Sequence, residues 1–164
     1  RRLSSAASDV YKRQLLTNLD TRKKARKHIS DGGCIIIFPS GTVSTTLKFY
    51  QKKSKAFDCE WKKFTSRLIK QTDPNIIPIN FPGTNSLAFQ IFSHISLVLR
   101  SSLLFFEIKR RINSDVEVFV GESFKYSELE DNLSNDELAD LLRTKTYLLD
   151  QSYSSPPPYG LDPD

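Results

Sequence analysis

Cysteine is scarce in this chain of 164 residues: only Cys34 and Cys59 are present, and Cys34 lies inside an apolar run. Two such residues make neither a disulfide framework nor a zinc site, so a reducing compartment is expected. Charge is missing from a long middle stretch, with no Asp, Glu, Lys or Arg between Asp73 and Arg100. That stretch is nevertheless too broken to cross a bilayer, which takes roughly 20 apolar residues. Pro78, Pro82 and Gly83 divide it and leave only 87–99 uninterrupted. A core helix, or one lying on a membrane, is the expectation there. The N-terminus has no apolar core segment, so it does not read as a signal peptide. Internal repeats are absent too.

Hydrophobic residues at 38% and charged residues at 26% describe one ordinary soluble domain with a real core. The net charge of +5 favours an anionic partner, either nucleic acid or an acidic membrane surface.

The first residues need separate treatment. Asp9-Val10-Tyr11-Lys12-Arg13-Gln14 is the translation of GATGTGTATAAGAGACAG, which resembles the end sequence of transposase-based sequencing libraries. Residues 1–14 are therefore expected to be adapter-derived, and the native chain is read from Leu15.

From Leu15 to Ser30 good helix formers carry a basic face of Arg22, Lys23, Lys24, Arg26 and Lys27, and Gly32-Gly33 ends the helix. Cys34-Ile35-Ile36-Ile37-Phe38 is continuously apolar, the pattern of a parallel strand covered on both faces, until Pro39 and Gly41 break it. Phe57, Trp61, Phe64 and Leu68 fall on one helical stripe, opposite Lys62, Lys63, Arg67 and Lys70, and Asp73-Pro74-Asn75 stops that helix. A short strand at 76–81 follows. Residues 87–112 read as helix, with a break expected near Ser101-Ser102. Val116, Val118 and Val120 alternate as in a strand. Ser134 and Glu137 form a capping box ahead of a stripe of Leu138, Leu141, Leu142, Leu148 and Leu149. Beyond Asp150 the sequence is polar and proline-rich, so 151–164 is expected to be a disordered tail. Alternating helices and strands indicate an α/β sandwich spanning 15–150.

Gly32-Gly33-Cys34-Ile35-Ile36-Ile37-Phe38-Pro39-Ser40-Gly41-Thr42-Val43-Ser44 resembles the third conserved block of glycerolipid acyltransferases, Phe-Pro-Glu-Gly-Thr-Arg-Ser. Pro78 between Ile77 and Ile79 is similar to the fourth block. Asn80 to Ser86, Leu99 to Leu104 and Val118 to Glu122 resemble a bacterial subgroup often labelled hemolysin-like acyltransferases. The resemblance runs from about Leu15 to Leu149. It implies the C-terminal portion of an acyltransferase-type αβ sandwich, peripheral on the cytoplasmic side of a membrane. It also implies transfer of a fatty acyl group from an acyl thioester, on acyl carrier protein or coenzyme A, to a lyso-lipid, with no bound cofactor. Phe38, Pro39, Ser40, Gly41, Thr42, Ser44 and Pro78 would then bind substrate.

Chemistry supports an anion cradle at the 38–44 loop: it leaves a strand end, Gly41 admits close approach, and Ser40, Thr42 and Ser44 offer hydroxyls. An ordinary strand-to-helix turn would look the same. Two positions depart from the block, Ser40 where Glu is usual and Val43 where Arg is usual. Valine cannot replace a guanidinium fork on phosphate. Lys48, Lys52 or Lys53 would then take over the anion contact, or the head group differs, as in a lyso-ornithine lipid. The family's His-x-x-x-x-Asp pair, which activates the acceptor hydroxyl, has no match: the fifth residue from His28 is Gly33, and from His94 it is Leu99. His28 reads as a solvated helix-end residue and His94 as a hydrogen-bonded core residue. No catalytic residue is therefore assigned, the missing block being expected upstream of Leu15. The chain is expected to be inactive alone.

Two other readings compete. A catalytically silent lipid-binding paralogue differs only in the absent pair. A nucleic-acid module would set basic patches at 22–27 and 48–55 on phosphate, but Phe57, Trp61 and Phe64 lie apart from those charges. A nucleotide phosphate loop at Ser40-Gly41-Thr42 lacks its closing Lys-Ser/Thr.

Overall fold

The computed structural model describes residues 19–47, 55–129 and 132–160. The adapter-like segment, the start of the basic helix, Lys48, Lys52, Lys53 and residues 161–164 lie outside the described residues.

Helix α1 occupies 19–30. Gly32 ends it at a φ of 84°, a conformation that glycine adopts without strain. The N–H of Gly33 bonds the His28 carbonyl at 2.8 Å and that of Gly32 the Ile29 carbonyl at 2.9 Å, which satisfies the open helix end. The chain then runs extended through 34–38 without joining a sheet. This corrects the buried parallel strand expected there. Cys34, Ile36 and Phe38 are exposed while Ile35 and Ile37 are half-buried, because no described strand lies alongside to cover both faces.

Strands β1 (Thr45–Thr46) and β2 (Ala56–Phe57) pair antiparallel, Thr45 opposite Phe57. Phe57 is thus a strand residue, and the expected helix begins later, as α2 (Lys63–Thr72). Its start is delayed because the Lys62 N–H is held by the Pro39 carbonyl at 3.0 Å, in extended backbone. Asp73 caps it in the left-handed region, its N–H returning to the Ile69 carbonyl.

Strand β3 (Ile79–Asn80) pairs antiparallel with β4 (Phe119–Val120), and Ile76 bridges Phe124. Between them run α3 (Leu87–Ser93) and α4 (Leu97–Arg111). The break falls at 94–96 rather than at Ser101-Ser102, which lie inside α4. Ser86 caps α3 by accepting the Phe89 N–H at 3.2 Å, and its own N–H and hydroxyl go to the Glu107 carboxylate of α4. A 3₁₀ turn (Tyr126–Glu128) precedes α5 (Asn135–Tyr147). The capping box forms as read: Ser134 accepts from the Glu137 N–H and Glu137 from the Ser134 N–H.

The architecture is α/β in the broad sense, helices with two small antiparallel sheets. The main core lies between α2 and α5, where Trp61, Ile69, Leu138, Ala139 and Leu142 are buried, with Ile76, Phe124 and Leu133 against them. Leu138 is fully buried, which contributes about 2 kcal/mol. The β3–β4 pair has one bare side, with Ile79, Phe81, Val118 and Val120 all exposed.

The segment after Asp150 is docked through residue 160, in contrast to the disordered tail expected from its composition. Arg143 supplies what the sequence pattern did not suggest. Its guanidinium donates to the carbonyls of Pro157 at 2.8 Å and Pro158 at 2.6 Å, and lies 4.4 Å from the centre of the Tyr159 ring. Gly160 donates its N–H to the Asp58 carbonyl at 2.8 Å. Tyr153 stacks edge-on against Tyr147 and Phe57.

Candidate functional site

The 38–44 loop starts as a tight turn, the Gly41 N–H bonding the Phe38 carbonyl at 3.0 Å with Gly41 at a φ of 68°. Phe38 is exposed and Pro39 half-buried, its carbonyl holding Lys62. Two of the three loop hydroxyls are turned to structural duty. Ser40 is buried, donates to the Thr42 carbonyl at 2.9 Å, and its carbonyl receives the Cys59 thiol at 3.8 Å. Ser44 donates to Asp58 Oδ1. Thr42 is different: its Oγ1 accepts from Arg100 Nη2 at 2.6 Å, so its own proton stays available to a ligand.

Arg100 also donates to the Val43 carbonyl. Its position in the first turn of α4 brings a guanidinium to the stretch where the family block has arginine and this chain has Val43. Only 5% of Arg100 is exposed, and no carboxylate among the described residues pairs with it. Its Nε and Nη1 hydrogens form no bond to the described residues. Burial pulls its pKa below the ordinary arginine value, with Cys59 acting in the opposite direction. A guanidinium remains charged regardless. A buried cation with spare donors and no anion of its own can take a phosphate, sulfonate or carboxylate from outside.

Asp58 organises the far wall. Its Oδ2 accepts the Trp61 indole N–H at 2.9 Å, its Oδ1 the Ser44 hydroxyl, and its backbone N–H donates to Tyr147 Oη at 2.8 Å. Its carbonyl takes Arg143 Nη2 at 3.2 Å and the Gly160 N–H. Burial, then the nearby Asp58 charge, pushes the Tyr147 phenol up to about 12. On the opposite side, α3 pins β1: Gln90 Oε1 accepts the Thr46 N–H at 3.0 Å, and His94 Nε2 donates to the Thr46 carbonyl at 2.9 Å. The loop is thus held directly by α4, while α3 fixes β1 beside it and α5 fixes Asp58.

Pro78 belongs to the β3–β4 pair, where its carbonyl takes the Gly121 N–H at 2.9 Å and its ring lies beside Gly121. The histidines are occupied. Each directs Nε2 at a carbonyl, His28 to Cys34 at 3.2 Å and His94 to Thr46, and each ring must carry its proton on that nitrogen because a carbonyl only accepts. Gly33 permits the first contact, since a Cβ there would lie 2.3 Å from His28 Nε2.

Asp58, Arg100 and Arg143 are site residues that sequence reasoning passed over. Arg100 alone left a signal, as the first charge after Asp73. A second cationic feature lies on α1, where Lys23, Arg26, Lys27 and Ser30 line an open hollow of about 280 Å³. Among the described residues no cluster suited to a metal ion occurs, and no helix is long and apolar enough to cross a membrane. No family model matches the chain, and neither a curated protein nor a solved structure matches it.

Proposed function

We propose that this chain carries the acceptor-binding part of a glycerolipid-type acyltransferase αβ sandwich, acting peripherally on a membrane. The reaction moves a fatty acyl group from an acyl thioester, on acyl carrier protein or coenzyme A, to a lyso-lipid hydroxyl. The hydroxyl oxygen attacks the thioester carbonyl, its proton leaves to a base, and the thiol departs. The observation that carries the reading is the Arg100 guanidinium on Thr42 and Val43. It supplies the cation that the 38–44 block lacks in sequence, beside the one loop hydroxyl left free to donate. The block resemblance, with Pro78 and the strings 80–86, 99–104 and 118–122, sets the reaction class.

Arg100 and Thr42 hold the acceptor's anionic head group in this scheme, and Asp58 and Ser44 keep the loop in shape. The general base falls to a His-x-x-x-x-Asp pair that this sequence does not contain, so the chain alone gives no turnover. Binding is the test. The pure protein should bind a lyso-lipid with an anionic head group, and Arg100→Met should weaken that binding about tenfold, the worth of one charge-assisted hydrogen bond. Arg100→Lys should recover part of it. Equal affinity of Arg100→Met and wild type would remove the head-group assignment. Salt-sensitive binding of duplex or single-stranded nucleic acid without lyso-lipid binding would replace the reading with the nucleic-acid one.

A further inference from the structure

Helix α4 is inside-out. In water a surface helix turns its charges outward and its apolar stripe to the core. Here Arg100, 5% exposed, and Glu107, 7% exposed, face inward, on the 42–43 loop and on the cap of α3. The outward side holds Val98, Leu99, Phe105, Phe106 and Ile108, with Phe105 78% exposed. Ile95 and Ile112, just beyond the two helix ends, are exposed as well, and α4 itself is about 22 Å long at the helical rise. Its one acid, Glu107, is buried and pairs with Arg110 at 3.5 Å, whereas Lys109 stands exposed at the C-terminal end.

We propose that this outward face is a membrane-insertion surface, seated parallel to a bilayer that carries anionic lipid. An apolar stripe of this width with cations and no exposed acid on the helix matches an interfacial helix. Phe105 and Phe106 enter the acyl boundary, and Lys109 reaches back along its stem to the phosphates. Insertion on this side brings the opposite side of the same helix, where Arg100 holds Thr42, close to the head-group layer. The inference rests on the membrane partner in the reading above and not on acyl transfer.

The test uses the whole chain and vesicles of phosphatidylcholine with or without phosphatidylglycerol. In Phe105→Trp the new indole emission should shift to the blue on anionic vesicles and be quenched by lipids brominated in the acyl chain, against the background of buried Trp61. Phe105→Ser with Phe106→Ser should reduce the bound fraction about tenfold or more without lowering the thermal midpoint, since both side chains are exposed. Lys109→Glu should weaken the preference for anionic vesicles. If these variants bind like wild type and only Arg22→Glu with Lys23→Glu releases the protein, α1 is the contact and the α4 proposal falls while the membrane reading stands. If wild type binds neither vesicle, both fall. A dimer in gel filtration that Phe105→Ser with Phe106→Ser dissolves, without vesicle binding, assigns the face to a second copy.

Discussion

Arg100 and Thr42, 58 positions apart in sequence, are joined by a 2.6 Å hydrogen bond from Nη2 to Oγ1, with the Val43 carbonyl taken by the same nitrogen. One cation thus fastens the loop to α4 while part of its guanidinium stays unbonded. Arg100→Met should therefore cost stability as well as head-group affinity. Loss of the bonds and a stranded Val43 carbonyl amount to about 2 kcal/mol, read from the urea midpoint at unchanged slope. A stability equal to wild type would show that Arg100 does not brace the loop.

Asp58 should be the more sensitive wall residue. Asp58→Leu is close in size but accepts no hydrogen bond, so both Ser44 and Trp61 lose their partner, at about 2 kcal/mol or more. Trp61 is the only tryptophan, so its emission reports the change directly. Unaltered emission together with unaltered stability would contradict the assignment.

Gly33 and Gly160 make a matched pair. A Cβ at Gly33 meets only the exposed His28 ring, which can swing aside, so Gly33→Ala should cost less than about 1 kcal/mol. A Cβ at Gly160 would lie 2.0 Å from the Phe57 carbonyl oxygen, which is backbone and cannot yield cheaply. Gly160→Ala should unseat the docked segment and cost about 2 kcal/mol or more. Limited proteolysis after Asp150 measures the difference, and equal protection in the two variants would refute it.

Tyr147 gives the pH dependence. Its folded pKa of about 12 exceeds the ordinary 10.0, so the folded state holds the proton more tightly than the unfolded state. The stabilisation is whole below pH 10 and is lost as pH rises to about 12. The slope over that window totals roughly 2 to 3 kcal/mol. Burial raises Tyr153 in the same direction, and the Asp140 hydrogen bond raises Tyr159. Tyr147→Phe should flatten part of the alkaline loss while costing about 1 kcal/mol at neutral pH, because the Asp58 N–H loses its acceptor. Phenolate absorbance and thermal midpoints against pH check both. A Tyr147→Phe profile parallel to wild type would rule the residue out.

Features decided within one helical turn were legible in the sequence. The Ser134–Glu137 box and the Gly32–Gly33 terminus depend on neighbours a few positions away, and both form. The Phe57–Trp61–Phe64–Leu68 stripe was half right. Its first half is claimed by distant partners, Thr45 opposite Phe57, and the loop-closing bond from Lys62 to Pro39 holds back the helix. The run Cys34–Phe38 has the pattern of a buried strand, but burial needs neighbours that a local pattern cannot specify, and none of the described strands pairs with it. Of the proposed site, the 38–44 loop was singled out from the order of its residues along the chain. Arg100 and Asp58 were not: Arg100 bonds across 58 positions, and the contact of Asp58 with Tyr147 across 89 positions uses its backbone N–H, which no side-chain pattern reveals.

The clasp of Arg143 on Asp58, Pro157 and Pro158 has a temporal side. Asp58 and Arg143 stand 85 positions apart, and the two proline carbonyls lie further on still. Synthesis runs from the N-terminus, so the loop wall containing Asp58 emerges before the Pro157–Pro158 segment that closes over it. A chain without that segment leaves the Arg143 guanidinium open to water and without both proline carbonyls. Proteases that sample open states would meet chains with 157–160 unseated more often than chains with it docked. Seating of 157–160 thus supplies two of the three carbonyls to which Arg143 donates.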